Sequence, residues 1–114
     1  MRVIISGSRA LKDADALVAR AIAESGFAVS AVLSGCSGAV DRAGERWGRR
    51  AGVPVIGFVA DWQAHGRRAG PLRNGRMAAA ADALIAVWNG TSRGTADMIR
   101  QARAKGLAVH VLRV

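Results

Sequence analysis

One cysteine in 114 residues, Cys36, cannot close an internal disulfide, and no Cys/His cluster offers metal-ligand spacing. The chain is therefore expected to need no metal and no cofactor. Acidic residues are scarce, eight against seventeen basic ones, and aromatics make up only 4%. A sequence-tolerant binder of single-stranded nucleic acid needs an aromatic-rich stacking face, and so few rings do not supply one. The apolar runs fall far short of a membrane span, and Met1-Arg2-Val3 reads as the start of a core strand rather than of a signal peptide. The expectation is a cytoplasmic protein without a membrane partner. No low-complexity tract or linker interrupts the chain, so residues 1–114 read as a single domain.

What is abundant is arginine. The formal charge is +9, with only Lys12 and Lys105 departing from arginine among the basic residues. Such a balance raises the prospect of phosphorylated or polyanionic partners, because the guanidinium fork matches phosphate geometry. The most electropositive segment is Trp62 to Met77, with Arg67, Arg68, Arg73 and Arg76 and no acid.

Strand-like and helix-like stretches alternate with short connections, which predicts a parallel sheet with helices on both faces. Strands are expected near 2–6, 29–34, 54–59, 83–88 and 108–113. Helices are expected from Asp13 to Ser25 before Gly26, over Val40 to Ala51 before Gly52, from Pro71 through the alanines at 78–81, and from Gly94 to Lys105 before Gly106. Between them, Ala60 to Gly70 reads as an overlong loop and a candidate lid.

Three apolar runs end in small-residue turns that lead into helices: Gly7-Ser8-Arg9, Gly35-Cys36-Ser37-Gly38, and Gly90 to Thr95. In a parallel sheet these turns share the carboxyl edge, where free amides and helix N-termini favour an anion. Gly35 to Gly38 lacks the G-x-G-x-x-G spacing, and Gly90 to Thr95 lacks a Walker lysine, so neither standard phosphate loop is present. Ser92 or Thr95 could serve as a helix cap or as a ligand contact. Asp41 suits either a ribose hydroxyl or the first turn of its own helix. Cys36 reads as a small spacer, since no His or Asn has an evident partnering role with it. Trp47 reads as core, and His110 as structural. Trp62 and Trp88 flank the edge, where each is a candidate to stack on a base, with core packing the default for Trp88.

Gly7-Ser8-Arg9, Ser34 to Asp41, Ala60-Asp61-Trp62, His65-Gly66, Ala69 to Asn74, Met77, Ala81-Asp82 and Ser92 to Met98 together resemble the YspA-like family of domains of unknown function, within the SLOG superfamily. The resemblance runs nearly end to end. It implies a Rossmann-like three-layer fold around a five-stranded parallel sheet that binds a nucleotide or nucleotide-derived small molecule. It also implies a homo-oligomer, with Met77 to Ala81 a candidate interface helix. The ligand-binding set expected on this basis is Gly7, Ser8, Arg9, Gly35, Cys36, Ser37, Gly38, Asp41, Trp62, Arg73, Asn74, Trp88, Ser92, Arg93, Gly94 and Thr95.

More distant relatives sharpen two alternatives. The Lonely Guy phosphoribohydrolases carry an arginine-lysine pair and a P-G-G-x-G-T-x-x-E motif. Arg73 and Gly94-Thr95 match it, but Asn74 stands for the lysine, Thr91-Ser92 for two glycines, and Met98 for the catalytic glutamate. Asp97 is adjacent to that position, yet one helical step turns a side chain by about 100 degrees. An enzyme would have to use Arg73 with Asp97 or Asp41 on an N-glycosidic or phosphate linkage. The second alternative is a nucleic-acid module of the kind found in DprA, favoured by charge and disfavoured by the aromatic content; any such binding is expected to be weak and non-specific.

Overall fold

The computed structural model describes residues 1–114. Val3, Ile4 and Ile5 are all fully buried, as expected of a strand covered on both faces, and they form the middle of β1 (Arg2–Gly7). The other strands are β2 (Ala31–Ser34), β3 (Val55–Gly57), β4 (Ala83–Trp88) and β5 (Ala108–Arg113), all parallel, in the order β3-β2-β1-β4-β5. The helices are α1 (Ala14–Ser25), α2 (Ala39–Ala51), α3 (Trp62–His65), α4 (Ala69–Ala80) and α5 (Arg93–Ala104), with a 3-10 turn over Gly66–Arg68. This is the parallel sheet covered on both faces that the alternation predicts, in the Rossmann-like arrangement that the family resemblance implies.

The period of two along the strands divides the core. Val3 and Ile5 face one way, with Val32, Ile85 and Val87, and meet Val18, Ala21 and Ile22 of α1 and Val40 and Ala43 of α2. Ile4 faces the other way, with Leu33, Leu84 and Ala86, and meets Met77 and Ala78 of α4 and Met98, Ile99 and Ala102 of α5. Each fully buried Val, Leu or Ile contributes roughly 1.5–3 kcal/mol by leaving water, which makes the two apolar layers the dominant stabilising term. The α2 helix stops where Gly52 takes a left-handed conformation, φ 73°, and its N–H closes on the Arg49 carbonyl at 3.2 Å.

One expectation needs correction. Ala60 to Gly70 is not an open loop: Asp61 Oδ1 accepts the Ala64 N–H at 3.0 Å and caps α3, the 3-10 turn follows, and α4 begins at Ala69 rather than Pro71. Pro71 falls inside the first turn of α4, where amides have no intrahelical acceptor and the missing N–H costs nothing. The strands after α1 and α2 are also shorter than expected, because only Ala31–Ser34 and Val55–Gly57 pair with a neighbour.

Strand order decides where a site can form. From β1 the chain moves outward to β2 and β3, then crosses back to β4 on the other side of β1. The connections therefore diverge at the carboxyl ends of β1 and β4, leaving the crevice in which open α/β sheets bind ligands.

Candidate functional site

A cleft of about 400 Å³ lies at that divergence, and only one of its lining residues is hydrophobic. Ser6, Gly7 and Arg9 come from the end of β1 and the turn after it, Ser37, Gly38 and Asp41 from the start of α2, and Ser92, Arg93, Gly94, Thr95 and Asp97 from the start of α5. The remaining wall is Trp62, Arg67, Gly70, Pro71, Arg73 and Asn74, from α3, the 3-10 turn and α4.

Two helices aim their N-termini into this space. At α2 the N-cap is Gly38, which offers no side-chain cap, and its own N–H is bonded to no protein acceptor. The chain must pass close here, since a Cβ on Gly38 would stand 2.8 Å from the Cα of Arg9. At α5 the N-cap is Ser92, whose Oγ accepts the Thr95 N–H at 3.4 Å, while the Gly94 N–H stays free. Free amides at a helix start carry partial positive charge and suit an anion.

The arginines add full charges. Arg9 Nη2 donates to Ser37 Oγ at 2.6 Å, which ties the first turn to the second. Arg73 reaches from α4 to the Gly35 carbonyl, 2.6 Å from its Nη1, and its Nε donates to Asn74 Oδ1 at 3.0 Å. Arg67 and Arg93 make no side-chain hydrogen bond or ion pair within the protein. Four arginines thus face two carboxylates in the lining.

Those carboxylates differ. Asp97 Oδ1 is held by Arg100 at 2.6 Å, and its Oδ2 accepts from Asn74 Nδ2 and Gln101 Nε2, both at 2.9 Å. Asp41 is only 7% exposed, and its Oδ2 accepts the Ser37 N–H at 3.0 Å. Burial pushes the Asp41 carboxyl above its ordinary range, which the Ser37 amide and the Arg73 charge only partly offset. Burial likewise pulls the Arg73 guanidinium below its usual value, against the attraction of Asp41. Below the turn, the buried Glu45 accepts from Ser34 Oγ at 2.6 Å and from Arg42 at 3.1 Å. Its burial would raise its pKa, but the hydrogen bonds from Ser34 and Arg42 leave it lowered overall.

Of the expected ligand set, Gly7, Arg9, Ser37, Gly38, Asp41, Trp62, Arg73, Asn74, Ser92, Arg93, Gly94 and Thr95 are brought to the cleft. Trp62 is 51% exposed and lies over Gly70, whose Cβ, if present, would be 3.5 Å from the Trp62 ring. Four others are not brought there. Ser8 is buried, and its Oγ accepts the Asn89 N–H. Gly35 lies behind the Arg73 guanidinium that its carbonyl receives. Cys36 takes a left-handed φ of 57°, and its Sγ turns to the Ser34 carbonyl at 3.6 Å and toward Gly57. Trp88 points its Nε1 at the Ser92 carbonyl, 3.1 Å away, and carries the Arg113 guanidinium 5.8 Å from its ring centre, so stacking on a cleft ligand is replaced by pinning the α5 turn.

The residues that sequence reasoning missed are Ser6, Arg67, Gly70 and Pro71. In the sequence Arg67 stands out only as part of a basic segment; the 3-10 turn over Gly66–Arg68 places it in the cleft lining. The Met98 position also becomes plain: its side chain is fully buried among Ile4, Leu33, Met77 and Leu84, while Asp97 occupies the cleft.

A family model described as the YspA, cpYpsA-related SLOG family matches residues 1–65. The chain is also similar to the Gene 61 protein of Mycobacterium phage D29, 40% identical over 118 residues, covering 95% of this chain and 93% of that one. No helix is long and apolar enough to cross a membrane, and no group of side chains is arranged to hold a metal ion.

Proposed function

Since the chain belongs to the YspA, cpYpsA-related SLOG family, we propose that its cleft binds a nucleotide or nucleotide-derived small anion. The observation that carries this reading is the convergence of two helix N-termini, each with a free glycine amide, on one polar cleft that also holds Arg9, Arg67, Arg73 and Arg93. Phosphate sits between Gly38 and Gly94, where both dipoles and the arginines act together. Trp62, exposed at the rim, offers a face for a base.

Asp97 in the cleft favours a second reading, hydrolysis of an N-glycosidic bond. Against it, both Asp97 oxygens already accept from Arg100, Asn74 and Gln101, so the carboxylate is neither a free base nor a free nucleophile. We favour binding without cleavage. The charge outside the cleft supports only weak, salt-steep contact with nucleic acid.

Calorimetry with AMP and ADP-ribose tests the reading, with Gly94→Val as the decisive variant. A Cβ at Gly94 meets no atom beyond its own helix and chain neighbours within 4 Å, so the fold should be preserved while the cleft is filled. Binding lost in Gly94→Val and weakened at least tenfold in Arg73→Ala is the expected result. No binding by wild type, or wild-type affinity in both variants, overturns the assignment. Release of free base from a nucleoside monophosphate, abolished by Asp97→Asn, would establish the enzyme instead.

A further inference from the structure

In the lining of the cleft a buried carboxylate and a half-buried guanidinium sit close without pairing. The Asp41 carboxylate and the Arg73 guanidinium feel each other's charge, yet no ion pair joins them. Both flank Gly35: a Cβ there would lie 2.7 Å from Arg73 Nη1 and 3.0 Å from Asp41 Oδ2. The bonds made by each side chain leave one atom over. Asp41 Oδ2 is taken by the Ser37 amide, and Oδ1 accepts nothing from the protein. Arg73 Nη1 and Nε are taken by the Gly35 carbonyl and Asn74, and Nη2 donates to nothing. Both leftover atoms are open to the cleft rather than sealed from it, so a ligand can reach them there.

The group that completes both atoms must donate to an acceptor and accept from a donor within a small space. A phosphate oxygen satisfies Arg73 but is repelled by Asp41. An ammonium satisfies Asp41 but is repelled by Arg73. A hydroxyl does both. Resting on the nucleotide reading above, we infer that Asp41 and Arg73 together hold a sugar hydroxyl of the ligand, so that the cleft selects ribose over dideoxyribose.

The hydroxyl donates to Asp41 Oδ1 and accepts from Arg73 Nη2. The phosphate then lies toward Gly38 and Gly94, away from the carboxylate. Asp41 thereby has two jobs on one side chain: its Oδ2 holds the start of α2 through Ser37, and its Oδ1 reads the sugar.

The test is calorimetry with AMP and ADP-ribose and with their 2′,3′-dideoxy counterparts, on wild type, Asp41→Asn and Asp41→Ala. Wild type should bind the ribose forms about tenfold or more tightly than the dideoxy forms, the scale expected for hydrogen bonds to charged groups. Asp41→Asn keeps an acceptor for the Ser37 amide and removes the negative charge. It should bind the dideoxy forms more tightly than wild type does while its ribose preference falls severalfold. Asp41→Ala, checked for folding by circular dichroism, should show no preference. Equal binding of ribose and dideoxy forms by wild type overturns the inference and leaves the nucleotide reading intact. So does a full ribose preference retained in Asp41→Ala. Failure of wild type to bind any of these probes overturns both.

Discussion

The turns after β2 and β4 both deliver a helix N-terminus to the cleft, but they differ in how much of their support is local. The β4 turn carries its own brace as well as outside ties: Asn89 Oδ1 accepts from the Thr91 amide and hydroxyl and from the Ser92 amide, Ser92 caps α5, and Ser8, Trp88, Asn74 and Arg113 hold the turn from outside. Of its two glycines, Gly94 has open space around it, whereas Gly90, φ 85°, is packed against the Arg113 guanidinium. The β2 turn depends on the rest of the molecule. The Ala39 N–H donates to the Arg9 carbonyl, Arg73 holds the Gly35 carbonyl, Arg42 holds the Cys36 carbonyl, and Gly38 is pressed against Arg9. A turn with a brace of its own tolerates change on its cleft-facing surface. The β2 turn transmits each change to its supports, which include the cleft-lining Arg9 and Arg73.

The sharpest break is expected just beyond the β4 turn, where α5 divides its neighbours between cleft and core. Met98→Glu, the substitution that would restore the hydrolase glutamate, places an unpaired carboxylate in the fully buried layer of Ile4, Leu33 and Leu84. It should cost about 3–5 kcal/mol and be read as a large fall in the urea midpoint, with no gain of base release. A soluble, stable Met98→Glu protein would show that the α5 start can rotate.

Next in size is a matched pair. Gly38→Ala forces a Cβ against the Arg9 backbone and should cost about 1–3 kcal/mol in thermal unfolding. Gly94→Ala meets nothing and gains helix propensity, so its stability should match or exceed wild type by up to about 1 kcal/mol. Similar losses in both would erase the distinction between the turns.

Within the β4 turn, Ser92→Ala should cost about 1 kcal/mol, the usual value of an N-cap. Asn89→Ala should cost more, because its one oxygen serves two amides and a hydroxyl. Equilibrium unfolding of the two variants checks the order.

The smallest effects are those of pH on the β2 side. Glu45 has a lowered folded pKa, so its contribution is present above its unfolded value of 4.5 and is lost as pH falls through the folded value. Asp41 has a raised folded pKa, so its protonated form is favoured on folding, and stability declines as pH rises from its unfolded value of 3.8 through the folded one. Urea unfolding between pH 3 and pH 7 (roughly the carboxylate range) should therefore show Glu45→Gln flattening the acid loss. Asp41→Asn should raise stability at neutral pH.

Much of the architecture follows from the sequence alone. Apolar triplets such as Val3-Ile4-Ile5 require a strand covered on both faces, and Gly52 after an amphipathic run ends a helix, because burial and backbone sterics act locally. The three turns were legible for the same reason, as was the family. The α3 segment was not: its helix rests on one capping bond from Asp61 and has no buried residue, so no periodicity announces it.

What the order of residues determined was which elements form, and that their turns would share one edge of a parallel sheet. Only the tertiary structure decided which side chains turn inward at that edge. Trp88 and Asp97 both stood among the candidates, yet Trp88 is drawn away by the Ser92 carbonyl and Arg113, while Asp97 reaches the cleft and is saturated there. Asp41 and Arg73 lie 32 residues apart in the numbering, on helices that cover opposite faces of the sheet, and become neighbours only at its carboxyl edge, where both side chains reach Gly35. Periodicity is a property of neighbours along the chain, whereas the direction of a polar side chain at a turn is set by whichever donor or acceptor the fold brings within reach.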